Sequence, residues 1–374
     1  KDNSIPKGKL DELVQAGLEA TAKATPISAP GSSTLLQTVQ GLDLDQEVGK
    51  GRETSSTSFE TCWIATHKFG CTAAAFSPDG AFAATGSQDT TIKLIDVSKI
   101  VGARKSGEES GVKAVLKTLY DHTHRIASLD FHPTQPILAS ASETVIKLYD
   151  LKETNKKVKK EMKDTHTVRS IKFHPSGEYI LVGTDHHYVR LYEMGSRNSY
   201  ISSATEQQNQ HQLKVNSVDI TADGRMFSSA SDDGAIKLWD GRTLSCTNTF
   251  AQAHNALPVY NAKFSRNGKY ILSSGDDHVV RLWDITAGKP VITFKVPHSK
   301  FPCPATFSFD ERHIIVPDSA NGIHIIDTLT QSTTQQLSGH SNGVLFVASS
   351  PSAGVFITCS EDARARFWVD GSVM

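Results

Sequence analysis

The stretch Ser228-Ser-Ala-Ser-Asp-Asp-Gly-Ala-Ile-Lys-Leu-Trp-Asp240 reads as a strand, a tight turn carrying aspartate, and a second strand that ends in Leu-Trp-Asp. Outward from it, the same ending recurs seven times. The others are Leu94-Ile-Asp96, Leu148-Tyr-Asp150, Leu191-Tyr-Glu193, Leu282-Trp-Asp284, Ile325-Ile-Asp327 and Phe367-Trp-Val369. Their spacings are 54, 43, 47, 44, 43 and 42 residues, near the roughly 40–45 of a propeller blade apart from one long insertion. A histidine precedes each unit: His67, His122, His166, His211, His254, His298 and His340. So regular a period predicts an all-β, seven-bladed propeller and turns the functional question from chemistry to binding.

Each unit also has an inner apolar strand and a turn such as Ser77-Pro-Asp-Gly80 or His174-Pro-Ser-Gly177 before its second strand. The last unit runs out one strand short, while Phe59-Glu-Thr-Cys-Trp-Ile64 stands alone ahead of the first histidine. Pairing strand 59–64 with the final blade would remove two exposed edges. The expected organisation is therefore residues 58–374 as a propeller closed by strand 59–64, preceded by residues 1–57. In that region Leu10, Leu13, Val14 and Leu18 predict a short helix over 8–24, which Gly17 weakens by about 1 kcal/mol. Residues 25–57, rich in Ser, Thr, Gly and Pro, read as a flexible linker. Residues 97–115 and 199–212 read as mobile surface loops.

The formal net charge is −1 and the pI near 7, so nothing pulls the whole chain toward nucleic acid or a membrane. Any RNA contact would be local. The five cysteines, Cys62, Cys71, Cys246, Cys303 and Cys359, have no CxxC spacing, which speaks for a reducing compartment and against a zinc site. No apolar run approaches the roughly 18 residues of a membrane span, and no signal peptide is visible. The chain starts at Lys1 rather than Met, the mark of a fragment. Six lysines between residues 151 and 163 form either a solvated hairpin or a basic edge.

In a complete unit the histidine, the turn aspartate, a Ser or Thr on the second strand and the Trp on the third should form a buried network, worthwhile only when every member is satisfied. The expected sets are His211, Asp233, Trp239; His254, Asp277, Trp283; and His340, Asp362, Trp368. A His-Asp-Ser grouping suggests a hydrolase, but a catalytic triad occurs once and this one repeats. His186 and His187 beside Asp185 lack further ligands at metal-binding spacing. No catalytic residue, metal or cofactor is expected. In the third unit His186 takes the turn position of the aspartate and Tyr192 that of the Trp. In the sixth, Ala320 and Ile326 do so, which removes the network there; both blades are then held by plain apolar packing, the favoured reading, or relaxed for a partner.

On the histidine-bearing face two positions per blade should be exposed. The first set is Thr72, Ala127, Arg169, Asn216, Tyr260 and Leu345; the second includes Gln88, Asp232, Asp276 and Glu361. Arg169, Asn216 and Tyr260, flanked by Asp232 and Asp276, make a candidate partner-binding patch, Tyr and Arg being favoured interface anchors.

Several segments go further than a generic blade. Thr118-Leu-Tyr-Asp-His122, Leu129-Asp-Phe-His-Pro133, Val168-Arg-Ser-Ile-Lys-Phe-His-Pro-Ser-Gly-Glu-Tyr-Ile-Leu-Val-Gly-Thr184, Tyr270-Ile-Leu-Ser-Ser-Gly275 and Arg364-Ala-Arg-Phe-Trp368 resemble the WD-repeat subunit of cleavage stimulation factor. The resemblance covers most of residues 67–369, and the 8–24 segment looks like the one that follows the family's N-terminal dimerisation module, itself absent here. It implies a nuclear, non-enzymatic scaffold subunit in pre-mRNA cleavage and polyadenylation. Its partners would be a scaffold subunit built from HAT repeats and, within the same complex, an RRM subunit that reads GU-rich RNA, with RNA contact by this chain indirect or weak. The rival resemblance is to substrate receptors of cullin-4 ubiquitin ligases, through the WDxR box at 239–242, with Asp240 and Arg242 as contact pair.

Overall fold

A computed structural model describes residues 42, 44, 58–107, 111–152, 158–196, 199–201, 210–296, 304–318 and 322–371. Seven four-stranded antiparallel sheets stand around a common axis. Blade 4 shows the pattern: inner strand Val215–Ile220, second strand Met226–Ser231, third strand Ile236–Asp240 and outer strand Cys246–Phe250. Burial peaks at the second strand, since inner strands such as Val215–Ile220 also face the central channel and are only partly buried. The second strands Ile137–Ser142, Tyr179–Thr184 and Val355–Ser360 are buried along their whole length, because neighbouring blades cover both faces. Hence their sequences carry no alternating polar face and rely on Ala, Ser, Gly and Thr beside the large residues. The outer strand Cys246–Phe250 keeps only its last residue fully buried.

Blade 7 is completed by the N-terminal strand Phe59–Thr66, which pairs antiparallel with Arg364–Asp370, Phe59 opposite Asp370 and Thr66 opposite Arg364. It runs two residues beyond the 59–64 read from the sequence. Trp63 meets Phe367 edge-on at 5.4 Å, and Phe59 meets Phe356 at 5.1 Å. Since the chain enters and leaves the same sheet, no blade is left with a three-stranded edge at the closure.

Two surface-loop expectations need correction. Residues 97–115 contain the helix Val97–Ser106, capped by Asp96 at its start and by left-handed Gly107 at its end. Val97 and Ile100 bury against the closure cluster with Ala114 and Trp63, so an apolar pair inside a polar stretch decides the matter. Ser199–Ile201 is the outer strand of blade 3; the hairpin read at 151–163 ends in Val158–Lys163, the outer strand of blade 2. The helix read over 8–24, His298 and Ala320 lie outside the described residues, as does residue range 202–209. Of the stretch read as linker, Leu42 is 3% exposed, packed against blades 5 and 6.

Candidate interaction surface

The side chains of Arg169, Asn216 and Tyr260 owe their position to one backbone device. Strand pairing slips by one residue between Val168 and Ser170, between Val215 and Ser217, and between Val259 and Asn261. The residue skipped each time is Arg169, Asn216 or Tyr260; blades 1 and 7 skip Thr72 and Leu345 in the same way. A bulge takes its residue out of the ladder and re-aims its side chain. Here it aims five of them at the mouth of the central channel, an open cavity of about 1260 Å³. Ala127 lies at the same mouth.

Each of the three central residues meets the carboxylate sixteen positions on, at the end of its second strand. Arg169 pairs with Asp185. Asn216 donates to Asp232 at 2.6 Å and to the Val259 carbonyl of the next blade at 2.9 Å. The Tyr260 hydroxyl donates to Asp276 at 2.6 Å. Lys214 adds a second partner to Asp232 at 2.9 Å. The patch is thus three preset polar pairs on consecutive blades. The sequence reading had Asp232 and Asp276 but not Asp185, although its spacing from Arg169 equals that of the other two pairs. It also missed the exposed apolar residues of the loops on this face: Phe69 at 63%, Leu213 at 53% and Leu257 at 42% exposure. Each follows its loop histidine by two or three positions, a signal that only the repeat alignment reveals.

Below the mouth, four consecutive inner strands point Asp130, Lys172, Asp219 and Lys263 at the channel. Lys172 reaches Asp130 at 2.9 Å, and Asp130 and Asp219 accept the backbone N–H groups of Phe173 and Phe264 on the following blades at 2.7 and 2.8 Å. Burial lowers the Lys263 ammonium to about 8, whereas for Lys172 the attraction of Asp130 and Asp219 outweighs burial and raises it. The alternating signs make this wall a cross-blade tie rather than a one-signed funnel for charged ligands.

The histidine networks lie behind this surface. In blade 4 His211 holds Asp233 through Nδ1 at 2.8 Å and Ser229 through Nε2 at 2.7 Å, while Trp239 donates to the same Ser229 oxygen at 2.8 Å. One assignment satisfies every atom: indole N–H to serine, serine O–H to Nε2, and Nδ1–H to carboxylate. Burial keeps His211 neutral, and its hydrogen bond overcomes the burial of Asp233 and holds that carboxyl at about 2. His254, Asp277, Ser273 and Trp283 repeat the arrangement in blade 5, and His340, Asp362, Thr358 and Trp368 in blade 7. These side chains are internally consumed, with His211 and His254 at most 2% exposed.

Blade 3 solves the same problem otherwise. Asp164, from the entry loop, takes Arg190 at 3.0 Å and the Tyr192 hydroxyl at 2.7 Å. His186 is thereby released to stack on His187 at 4.0 Å and on Tyr188 at 4.6 Å, with the tilted ring of His166 at 4.5 Å. Blade 6 differs from the apolar packing expected of it. Asp318, buried at the end of its second strand, accepts from the Gly322 N–H and contacts His324, both at 2.8 Å, beside a buried Ile326. Among the described residues no group of three or more His, Cys, Asp or Glu could hold a metal ion. None of their helices is long and apolar enough to cross a membrane.

Three of the lysines of 151–163 have local partners, while Lys156 and Lys157 lie outside the described residues. Lys159 meets Asp150 at 3.2 Å, Lys163 meets Glu161 at 3.5 Å, and Lys160 donates to the Met194 carbonyl at 2.6 Å. In the WDxR box the Asp240 carboxylate accepts the N–H groups of Arg242 and Thr243 at 2.8 Å, as Asp284 and Asp327 do in their own turns.

The profile of the WD domain, G-beta repeat family matches residues 60–96, 113–150, 157–193, 203–240, 244–284 and 331–369, passing over most of blade 6. The chain is 36% identical over 261 residues to "Cleavage stimulation factor subunit 50" of Arabidopsis thaliana, covering 67% of this chain and 60% of that protein. It is 25% identical to "Ribosome biogenesis protein WDR12 homolog" of Drosophila yakuba over 58% of this chain and 55% of the relative. With "Pre-mRNA-processing factor 19" of Caenorhabditis elegans it shares 26% identity over 64% of this chain and 44% of the relative. The chain spans less than two thirds of the length of each of these relatives.

Proposed function

Because the chain belongs to the WD-domain, G-beta-repeat family, we propose that it is a non-enzymatic interaction subunit of the nuclear machinery that cleaves and polyadenylates messenger RNA precursors. The observation that carries this reading is its 36% identity to a protein named as a cleavage stimulation factor subunit. The chain contributes a rigid ring that presents loops to fellow subunits. Its docking face is the channel mouth, where Arg169, Asn216 and Tyr260 sit on bulges with their carboxylates already in place. Preset side chains cost little entropy on binding, and the exposed Phe69, Leu213 and Leu257 around them supply apolar area. The partner is the HAT-repeat scaffold subunit, and through it the RRM subunit. Contact with RNA is indirect or weak, a reading supported by the near-neutral chain and by the carboxylate or carbonyl partners of Lys159, Lys160 and Lys163. The use of Asp240 by its own turn weighs against a cullin-4 adaptor contact at 239–242.

Binding of the purified HAT-repeat subunit to the intact chain and to an Arg169→Ala, Asn216→Ala, Tyr260→Ala variant tests the reading. Three truncated anchors should weaken binding by about a hundredfold or more, at about 1 kcal/mol or more each. Unchanged affinity would remove the surface; no binding by the unaltered chain would remove the partner.

A further inference from the structure

The turn between the inner and second strands, on the face opposite the histidine loops, repeats with a glycine of positive φ. Gly80, Gly177, Gly224 and Gly268 hold it with φ from 68 to 78°. In three of these blades glycine is required twice over, because the preceding blade presses on it. A Cβ on Gly177 would lie 2.3 Å from His132, one on Gly224 2.7 Å from His174, and one on Gly80 2.1 Å from Ser352. Blades 2 and 7 have Gln135 and Ala353 at this position without positive φ, whereas blade 6 keeps the left-handed conformation and fills it with Glu311, φ 57°. A side chain in that region costs roughly 1–2 kcal/mol, and it is tolerated where something depends on it.

What depends on Glu311 lies at the seam of blades 5 and 6. The residue is 2% exposed, and its two carboxylate oxygens do different work. Oε1 accepts the Arg266 N–H of the blade 5 turn at 2.6 Å, and Oε2 accepts the N–H of Leu42 at 2.8 Å. From the blade 5 turn, Asn267 donates its side-chain amide to the Leu42 carbonyl at 2.6 Å. One residue of chain far from either blade in sequence is therefore held by both of its backbone groups. Its isobutyl group enters a cluster that includes Tyr270, Ala305 and Phe307, with Leu44 packed alongside. Neither backbone hydrogen bond reads side-chain identity, whereas the apolar cluster does.

We propose that this seam is a peptide-binding slot for a segment with leucines two positions apart, and that its resident ligand is the chain's own Leu42 and Leu44, seated on blades 5 and 6. Any other protein that uses the slot must displace this segment, so the clasp sets a threshold on access. The threshold is the local concentration of a tethered ligand, in the millimolar range for a short tether.

The test uses the intact chain and a fluorescent peptide of residues 38–48. A Leu42→Asp, Leu44→Asp chain, with its slot vacated, should bind the peptide about tenfold or more tightly than the unaltered chain, whose slot is filled in cis. Adding Asn267→Ala to that variant should weaken the peptide again. Equal binding to all three chains, or none to a vacated chain whose thermal midpoint matches the original, overturns the proposal. Should the substituted chain not fold, hydrogen exchange at the Leu42 amide of the unaltered chain decides. Protection of about a hundredfold or more over the free peptide supports the clasp, and exchange at the free-peptide rate sinks it.

Discussion

Blade 4 and blade 3 meet the same architectural demand with different chemistry. Both must hold the entry loop, the hairpin turn and the third strand together at one edge of a sheet. Blade 4 does it with a neutral relay, Trp239 to Ser229 to His211 to Asp233, in which the acid comes from the turn. Blade 3 moves the acid into the loop as Asp164 and answers it with Arg190 and the Tyr192 hydroxyl. The difference shows that what the fold requires is a fully paired polar junction, not a particular residue quartet. It also shows the consequence of moving the acid: His166 loses the buried role of its counterparts and gathers half-buried with His186 and His187.

The comparison breaks hardest at Asp164. Its side chain is fully enclosed, so Asp164→Ala strands the Arg190 guanidinium, 12% exposed, and should cost about 3–5 kcal/mol in urea unfolding. A loss under about 1 kcal/mol would mean that the ionic junction of blade 3 is incidental. Ser229→Ala removes the hinge of the blade 4 relay and leaves both Nε2 of His211 and the indole N–H of Trp239 unpaired. The expected loss is about 1–3 kcal/mol, and a smaller one would show that the relay contributes less than its geometry suggests.

A third effect comes from histidines kept neutral by the fold. Burial lowers His67, His122 and His174 to about 4 in the folded chain, against 6.5 for the free side chain. Between these values the unfolded chain binds more protons, so stability is complete above pH 6.5 and falls as the pH drops toward 4. The thermal midpoint at pH 4.5 should lie on the order of 5 °C or more below that at pH 7, and His122→Gln should flatten the slope. An unchanged slope in that variant would place the titration elsewhere. The smallest effect belongs to the blade 3 stack: His187→Ala should change stability by no more than about 0.5 kcal/mol. A large loss there would mean the stack carries structure that its exposure hides.

Much of this was legible in the residues. The spacing of Leu-Trp-Asp endings specified the ring, and the His, Asp and Trp members of blades 4, 5 and 7 could be named because each blade repeats them at matching offsets. The signal failed where a blade left the pattern. Nothing local to Asp164 or Asp318 announces a junction, since each takes its meaning from partners, Arg190 and Tyr192 or His324, whose side chains only the folded sheet brings round. The helix Val97–Ser106 was missed because Val97 and Ile100 are too few to make a period, yet suffice once a closure cluster lies beneath them.

The sequence by itself determined the architecture, because a strand's period and a blade's length are local properties repeated seven times over. It also determined which side chains reach the channel mouth, since their position is a fixed offset within that repeat. Tertiary structure alone decided that Arg169, Asn216 and Tyr260 each meet a carboxylate. It alone decided that Glu311 in a glycine's place holds Leu42 from 269 residues away. Contacts across that distance depend on how the ring closes in space, which no local pattern records.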